Sequence, residues 1–151
     1  MSVWVVRAGE GGKIIEQVKK LGVVAIAWEQ MGDCSGYTTR EDFRDAYKRT
    51  WPAEASPARI GLQSGQVYRF IREMQVGDTV MTPDGATREM LIGEVTGEYE
   101  FAPGRIDDRF VQLRAVNWKR TVSRDEMSSG LRAATAGLLT VFSIDGFQDE
   151  I

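Results

Sequence analysis

Hydrophobic positions in the first part of the chain alternate between the spacing of a strand and the spacing of a helix. Residues 3–8 (VWVVRA) and 23–28 (VVAIAW) are short apolar runs rich in β-branched and aromatic residues, which predicts two buried strands. Between them, residues 13–21 carry apolar side chains on one helical face, and Gly22 is a suitable left-handed C-cap. This β-α-β order indicates a crossover connection, in which the two strands could pair in parallel.

Two longer helices are predicted in the middle of the chain. Residues 38–52 begin with two threonines that can cap a helix and end at Pro52, which stops it. Residues 56–78 begin with Ser56 as a cap and Pro57 at the first helical position. The glycines inside this second helix each cost up to about 1 kcal/mol relative to alanine, and they allow another backbone or a ligand to approach closely.

The second half of the chain has mainly the patterns of strands. Apolar or alternating runs predict strands within residues 79–83, 90–101, 109–122 and 138–144, and residues 123–138 predict short helical turns. The whole chain then has about six strands and three or four helices, so the predicted fold class is α+β. A curved mixed sheet that closes towards a small barrel, with the helices packed outside, fits this spacing.

Composition restricts the chemistry that the chain can perform. It has 151 residues, a net charge of −3, a pI near 5.1, one cysteine and no histidine. The missing histidine removes the commonest general base and metal ligand, and one cysteine cannot form a cysteine-rich zinc site. Neither a GxxxxGK[ST] phosphate loop nor a GxSxG nucleophile elbow is present. We therefore expect no catalytic residue, no metal and no cofactor, and we favour a binding function over an enzyme.

Five stretches occur in an order and spacing that resemble a known family. They are VWVVRAGEGG, GVVAIAWEQMGD, SPARIGLQSGQVYRFIREMQVGDTVMTP, LIGEVTGEYEF and LLTVF. The chain resembles the N-terminal domain of Mrr-like and McrB-like modification-dependent restriction proteins, in the EVE and YTH branch of the PUA superfamily. The resemblance covers roughly residues 2–144. It implies a pseudobarrel whose pocket accepts one modified nucleobase, which in the DNA readers is flipped out of the duplex.

The resemblance also implies an aromatic cage around that base. Trp28 matches the cage tryptophan that the YTH relatives place at the end of the corresponding strand, although it could instead cap the core. Tyr99 and Phe101 are candidates for the opposite wall, and either could instead cover the end of the barrel. Stacking returns about 1–3 kcal/mol per base against a few kcal/mol for unstacking it. The remaining tryptophans are expected in the core, at its rim or in local packing: Trp4, Trp51 and Trp118.

Polar groups near the cage would bind the edge of the base. Asp33 could accept hydrogen bonds from the exocyclic amine of cytosine or adenine, or it could simply close a turn. Weaker candidates for the same pocket, each with an alternative as an ordinary surface or strand residue, are Ser35, Tyr37, Gln63, Gln66 and Thr82.

Basic side chains are the candidates for contacts with phosphates, which position a protein on nucleic acid without reading its sequence. Arg7 follows the first strand and could meet a phosphate or brace Glu10 or Asp33. The other candidates lie in a late loop and strand: Arg105, Arg109, Lys119, Arg120 and Arg124. Because acidic neighbours accompany the loop arginines, their net attraction for phosphate is expected to be modest.

These features predict a DNA-binding specificity module that recognises a methylated or hydroxymethylated base in double-stranded DNA, as part of a restriction and host-defence system. Residues 1–144 would form the reader domain, and the acidic residues 145–151 could begin a linker to a C-terminal nuclease or accompany a separate effector subunit. The alternatives are a reader of modified RNA and, less favoured, a nucleic-acid-processing enzyme. The single cysteine, and the lack of a signal peptide or membrane-length apolar run, predict a cytoplasmic protein without membrane association.

Overall fold

Six strands and four helices make up the fold in the computed structural model, which describes residues 1–151. The strands are β1 (Val3–Val6), β2 (Val23–Ile26), β3 (Thr79–Asp84), β4 (Glu89–Phe101), β5 (Gln112–Ser123) and β6 (Val141–Ile144). The helices are α1 (Ile15–Leu21), α2 (Arg40–Thr50), α3 (Pro57–Tyr68) and α4 (Ser129–Thr135), and α3 continues into a π-helical turn, Arg69–Glu73. The α+β prediction is therefore confirmed.

One mixed sheet holds all six strands, in the order β2-β5-β4-β3-β1-β6. β1 pairs in parallel with β3, and every other pairing is antiparallel. The parallel pairing of β1 with β2 that the β-α-β order suggested is not made, since these two strands share no ladder. The sheet curls until Cα atoms of β1 and β2 come within 8 Å. The predicted curvature is present, but the hydrogen-bond ladder stays open between the edge strands β2 and β6.

Both faces of the sheet are covered, because alternate side chains of a strand point to opposite sides. Trp4 and Val6 of β1 belong to the largest apolar cluster, which α2 and α3 complete with residues such as Phe43. Val3 and Val5 face another cluster, shared with α4. A third cluster lies between α1 and β2. Burial on two sides explains why β1 and β2 are uninterrupted apolar runs rather than alternating ones.

Local signals start the helices near the predicted positions, although the third helical segment ends at Glu73, before the predicted end at residue 78. Thr39 caps α2 through a capping box with Asp42, whose backbone N–H donates to the Thr39 hydroxyl at 3.1 Å while its carboxylate accepts from the Thr39 N–H at 3.1 Å. The Ser56 hydroxyl caps α3 by accepting from the N–H of Arg59 at 3.2 Å. Gly22 ends α1 in the left-handed conformation, with φ 65° and ψ 51°.

The glycines of α3 make room for α2 rather than for a ligand. A Cβ atom at Gly61 would lie 3.1 Å from Nη1 of Arg44, and one at Gly65 would lie 3.7 Å from Nη1 of Arg40. Both arginines belong to α2, so their side chains lie across the small residues of α3. The close approach that the sequence predicts at these glycines is therefore an approach between helices.

A buried arginine, Arg114 of β5, supports the end of α3. Its side chain donates hydrogen bonds to the carbonyl oxygens of Phe70 (3.0 Å), Met74 (2.8 Å) and Gly97 (2.9 Å). Only 1% of Arg114 is exposed, and burial lowers its pKa. The guanidinium group satisfies carbonyl oxygens that the end of a helix leaves without partners.

The acidic C-terminal segment lies on the domain. Phe147 and Ile151 contact the cluster shared with α4, and the Glu150 carboxylate accepts a hydrogen bond from the N–H of Ser128 at 3.1 Å. These contacts attach the segment that the sequence suggests as the start of a linker. None of the helices combines the length and apolar character that a membrane crossing requires.

Candidate functional site

Trp28 follows the end of β2 in a backbone conformation that few non-glycine residues adopt. Its φ and ψ are 56° and 38°, in the left-handed region, and it precedes the 3-10 turn Glu29–Met31. For an L-residue this conformation costs roughly 1–2 kcal/mol. Such backbone strain persists only where the surrounding structure enforces it, and it is concentrated at functional sites. Other parts of the fold must therefore hold Trp28 in place.

Hydrogen bonds from two other elements provide this support. The indole Nε1 of Trp28 donates to Oε1 of Gln63 on α3 at 3.2 Å. The Nε2 of Gln112, at the start of β5, donates to the backbone oxygens of Trp28 (3.4 Å) and Gly32 (2.9 Å). Gln112 is fully buried and accepts a hydrogen bond from the Tyr99 hydroxyl. These contacts fix the backbone and the indole edge of Trp28, whose side chain is partly buried and packs against the largest apolar cluster.

Two adjoining clefts open beside Trp28. The first, which we call the Arg7 cleft, has a volume of about 430 Å³, and the second, which we call the Gln63 cleft, has a volume of about 610 Å³. Trp28 and Trp51 line both clefts, so the two indoles lie where the clefts meet. Trp51 follows α2 and packs on Tyr47, with the ring centroids 4.5 Å apart. Both volumes suit a small-molecule guest.

Charged groups of both signs line the Arg7 cleft. Arg7 and Arg109 contribute guanidinium groups, and Glu10 and Glu29 contribute carboxylates. None of the four forms a salt bridge. Arg7 donates from Nη2 to the carbonyl oxygen of Gly137, but its buried Nε has no hydrogen-bond partner. The cleft therefore offers unpaired donors and acceptors to a polar guest.

Apolar groups share the same space. Phe110 is 5% exposed and lines the Arg7 cleft, with Cζ of Arg109 5.4 Å from the centre of its ring. Leu138 is 92% exposed and lies at the opening of the cleft. Thr140 completes the lining, and its backbone N–H donates to Oε1 of the buried Gln66 at 2.8 Å. A flat, partly polar molecule would meet both stacking surfaces and hydrogen-bonding groups there.

Asp33, Ser35 and Tyr37, which the sequence suggests for the pocket beside Trp28, line neither cleft. Asp33 is exposed and closes a turn by accepting from the N–H of Ser35 at 2.9 Å, which is the alternative that the sequence leaves open. The backbone oxygens of Ser35 and Tyr37 each accept a hydrogen bond from Arg72 at 2.7 Å. Asp33, Ser35 and Tyr37 therefore stabilise their own loop, whereas Glu29, directly after Trp28, lines the Arg7 cleft.

Gln66 and Thr82 are also corrected by the structure, because both are buried outside the clefts. Gln66 is 2% exposed, and its Oε1 accepts from the N–H groups of Thr140 (2.8 Å) and Val141 (3.2 Å), which joins α3 to the start of β6. Thr82 is 1% exposed within β3, and its hydroxyl has no partner. Gln66 thus affects the Arg7 cleft only through the position of Thr140.

Tyr99 and Phe101 do not form the opposite aromatic wall. The Tyr99 hydroxyl accepts from the N–H of Cys34 at 3.1 Å and donates to Gln112, so its polar end is bound inside the protein. Phe101 ends β4 opposite Gln112 and lines neither cleft. The rings that accompany Trp28 come instead from the segments after α2 and before β5.

Two of the suggested phosphate contacts, Arg7 and Arg109, line the Arg7 cleft. Three others are bound to partners of their own: Arg105 to Glu100 at 3.2 Å, Lys119 to Glu94 at 3.3 Å, and Arg120 to the carbonyl oxygen of Ile151. The exposed salt bridges of Arg105 and Lys119 contribute little to stability, but they neutralise charge that would attract a phosphate.

Cys34 is buried beside the loop that follows Trp28. It is 0% exposed, and burial raises its pKa to about 12, with the charge of Asp33 adding to the rise and a hydrogen bond with Tyr99 opposing it. Burial likewise raises the pKa of the Tyr99 hydroxyl. Both groups are therefore neutral near pH 7, and the thiol is not an effective nucleophile there.

Residues of the Arg7 cleft that the sequence reasoning missed are Glu10, Glu29, Trp51, Phe110, Leu138 and Thr140. Their common feature is position. β1 and β2 end at this edge of the sheet, and their antiparallel neighbours β6 and β5 begin there, as the pairs Val6–Val141 and Ile26–Gln112 show. Residues just outside these strand ends therefore meet, and the missing signal was the strand pairing.

Comparison with known proteins yields a matching family and similarity to solved structures. The crystal structure of the MmI1 YTH domain superposes with a TM-score of 0.41 at 13% sequence identity, covering 88% of this chain and 72% of that one. A likeness at this level assigns neither a ligand nor an activity. No curated protein matches the chain. One family model, described as a domain of unknown function, matches residues 4–145, which is nearly the whole chain. The chain therefore belongs to the DUF8426 family.

Proposed function

We propose that the chain binds nucleic acid by taking one modified nucleobase into the Arg7 cleft, against the ring of Trp28. The observation that carries this proposal is the setting of Trp28. A large aromatic ring is held in a left-handed backbone conformation, tied by Gln63 and Gln112, at the junction of two open clefts. A rigid ring beside open space is what stacking of a base requires, and stacking contributes about 1–3 kcal/mol per base.

The lining of the cleft suits a flat heterocycle. Trp28, Trp51 and Phe110 provide aromatic surface in a space of about 430 Å³. A methyl group on the guest adds about 0.8 kcal/mol if it is buried there. Together with stacking, this offsets the few kcal/mol that are needed to take a base out of its duplex.

The charged groups suit a guest edge with both donors and acceptors. Glu10 and Glu29 can accept from the exocyclic amine of cytosine or adenine, and Arg7 can donate to the acceptor atoms beside that amine. This transfers to glutamates of the cleft the role that the sequence analysis gave to Asp33. With two arginines and two glutamates, the lining balances its charge, which favours a neutral base over a free anion.

The proposed target is double-stranded DNA carrying a methylated or hydroxymethylated base, and the proposed setting is a modification-dependent restriction system. The support for this setting is the resemblance of the sequence stretches described above. In that setting the chain supplies recognition, and cleavage belongs to another domain or subunit. No chemical step is assigned to the cleft itself.

Fluorescence anisotropy with a panel of labelled duplexes tests the proposal. The duplexes have one sequence and carry methylcytosine, hydroxymethylcytosine, methyladenine or no modification, and matched RNA oligonucleotides form a second panel. We expect one modified duplex to bind about fourfold more tightly than the plain one, since a buried methyl group contributes about 0.8 kcal/mol while stacking is open to both bases. Trp28→Ala should abolish this preference.

Tyr37→Ala is the matched control, because it removes a partly buried aromatic ring that lies outside both clefts. This variant should keep the preference, and the melting temperatures of both variants report whether they fold. Equal affinity of the unsubstituted chain for all modified and plain oligonucleotides contradicts the proposal. If the chain prefers modified RNA over modified DNA, the ligand of the same pocket is RNA.

A further inference from the structure

The Arg7 cleft continues along the surface into two further hollows. A small hollow of about 240 Å³ shares Arg7 and Gly9 with the cleft. It shares Arg124 with a depression of about 530 Å³, which Arg88 and Arg132 also line. Because neighbouring hollows have wall residues in common, they form one path, which we call the arginine trough after Arg7, Arg124, Arg132 and Arg88.

The guanidinium groups of the trough differ in what they already bind. Arg132 is held by two carbonyl oxygens, since its Nε donates to Arg124 at 3.1 Å and its Nη2 to Met127 at 2.9 Å. Arg88 forms a salt bridge with Asp125 at 2.8 Å. The side chain of Arg124 makes neither a hydrogen bond nor a salt bridge. Arg124 is therefore the arginine of the trough with every donor available.

Outside the cleft, the carboxylate of Asp125 pairs with Arg88 at 2.8 Å and also interacts electrostatically with Arg132. Asp84 is the only carboxylate that lines the two further hollows. It is 6% exposed, and its Oδ1 already accepts a hydrogen bond from the N–H of Ala86 at 3.1 Å. Arg7, Arg124 and Arg132 have no carboxylate within 4.0 Å. This acidic chain thus keeps several arginines along the hollows, and among them Arg124 has neither a hydrogen bond nor a salt bridge from its side chain.

Two loops approach each other closely in the wall of the small hollow. Gly9, Gly11 and Gly85 line the small hollow, and a Cβ atom at Gly85 would lie 3.3 Å from the carbonyl oxygen of Gly11. This close approach requires glycine at position 85, because a side chain there would meet the Gly11 backbone.

We propose that the arginine trough holds the phosphodiester backbone of a nucleic-acid strand, with Arg124 as a direct phosphate ligand. That this is the same strand whose base enters the Arg7 cleft rests on the proposed function. Arginine suits this role because its planar fork of N–H groups matches two phosphate oxygens. Backbone contacts are independent of the base, so the trough supplies affinity while the cleft supplies discrimination.

Salt-dependent binding of an unmodified oligonucleotide separates the trough from the cleft. The ligand is a labelled single strand of about 12 nucleotides, measured by anisotropy between about 50 and 200 mM salt. Arg124→Gln should weaken binding about tenfold and reduce the slope of log affinity against log salt by about 0.7, as the loss of one phosphate contact predicts. The loss should be equal for modified and unmodified strands.

Arg49→Gln is the matched control, because it makes the same change at an exposed position of α2 that lines none of these hollows. A second readout uses a strand that carries a modified base. In this strand a neutral methylphosphonate replaces, one at a time, the phosphate linkages beside that base. At the linkage that Arg124 binds, the methylphosphonate should weaken binding to the unsubstituted chain. It should not weaken binding to Arg124→Gln any further, because the methylphosphonate and the substitution remove the same interaction.

The two proposals fail separately. An unchanged affinity and salt slope in Arg124→Gln overturns the trough and leaves the base pocket standing. Suppose that Arg124→Gln reduces the salt slope, but the unsubstituted chain shows no preference for any modified base. This result supports the trough and contradicts the base pocket.

Discussion

The indole N–H of Trp28 donates a hydrogen bond to the side-chain oxygen of Gln63 across 3.2 Å, which joins the end of β2 to the middle of α3. This contact uses the edge of the ring of a residue that lines two clefts. Gln112 holds the backbone of the same residue from the opposite side of the sheet edge. Trp28 is thus positioned by residues that lie far from it in the sequence, and substitutions at these positions test the arrangement.

Loss of the acceptor at position 63 should release the indole of Trp28. In Gln63→Leu we expect the free energy of unfolding to fall by about 1 kcal/mol, because one partly buried hydrogen bond is lost. Hydrogen exchange of the Trp28 indole N–H, followed by NMR, should become faster. Gln63→Glu keeps an acceptor and should preserve slow exchange. The indole N–H of Trp118, which donates to the carbonyl oxygen of Val18 at 2.9 Å, is the internal control. Unchanged exchange at Trp28 in Gln63→Leu contradicts this prediction.

The left-handed conformation of Trp28 should reverse the usual order of alanine and glycine. We expect Trp28→Gly to be more stable than Trp28→Ala by about 1 kcal/mol, since glycine adopts this conformation without steric cost. Urea denaturation of the two variants measures the difference. At the exposed helical position Lys48, we expect the alanine variant to be more stable than the glycine variant by about 1 kcal/mol. If Trp28→Ala is as stable as Trp28→Gly, or more stable, the backbone at position 28 is not strained.

Replacement of Gln112 should destabilise the whole edge of the sheet. Gln112→Leu removes the acceptor of the Tyr99 O–H and one donor to each of the backbone oxygens of Trp28 and Gly32. We expect the free energy of unfolding to fall by about 2–4 kcal/mol. Adding Tyr99→Phe should cost less in this background than in the unsubstituted chain, because the two residues share one hydrogen bond. Gln17→Leu, at an exposed position of α1, should change stability by less than about 0.5 kcal/mol.

Stability should decline at alkaline pH through Cys34. Its folded pKa of about 12 lies above the ordinary value of 9.0, so the folded chain keeps a proton that the unfolded chain releases. The contribution of the buried thiol to stability is therefore complete below pH 9 and is lost as the pH rises towards 12. Burial raises the pKa of Tyr99 as well, which acts in the same direction.

The comparison of Cys34→Ala with the unsubstituted chain isolates this effect. Urea denaturation at about pH 8 and about pH 10.5, with a reductant present, should show the stability difference between the two chains shrinking at the higher pH. A difference that stays constant or grows with pH would contradict the raised pKa. Slow alkylation of Cys34 by iodoacetamide near neutral pH provides an independent check on its burial.

Local patterns in the sequence were sufficient to predict the elements of the fold. The caps at Thr39, Ser56 and Gly22 and the apolar runs of β1 and β2 are determined by nearby residues, so their interpretation did not depend on the rest of the chain. Trp28 was also visible in this way, because an aromatic residue followed by a polar run at the end of a buried strand is a local feature.

The partners of Trp28 were decided only by the tertiary structure. Gln63, Trp51 and Phe110 reach it because α3 packs on the sheet, α2 packs on α3, and β5 pairs with β2. Tyr99 looked like an equal candidate, but the alternation along β4 turned its hydroxyl towards Gln112 and Cys34. Local sequence does not encode strand pairing, because pairing depends on the area that the whole sheet buries. The residues that line a cleft between strand ends depend in turn on that pairing.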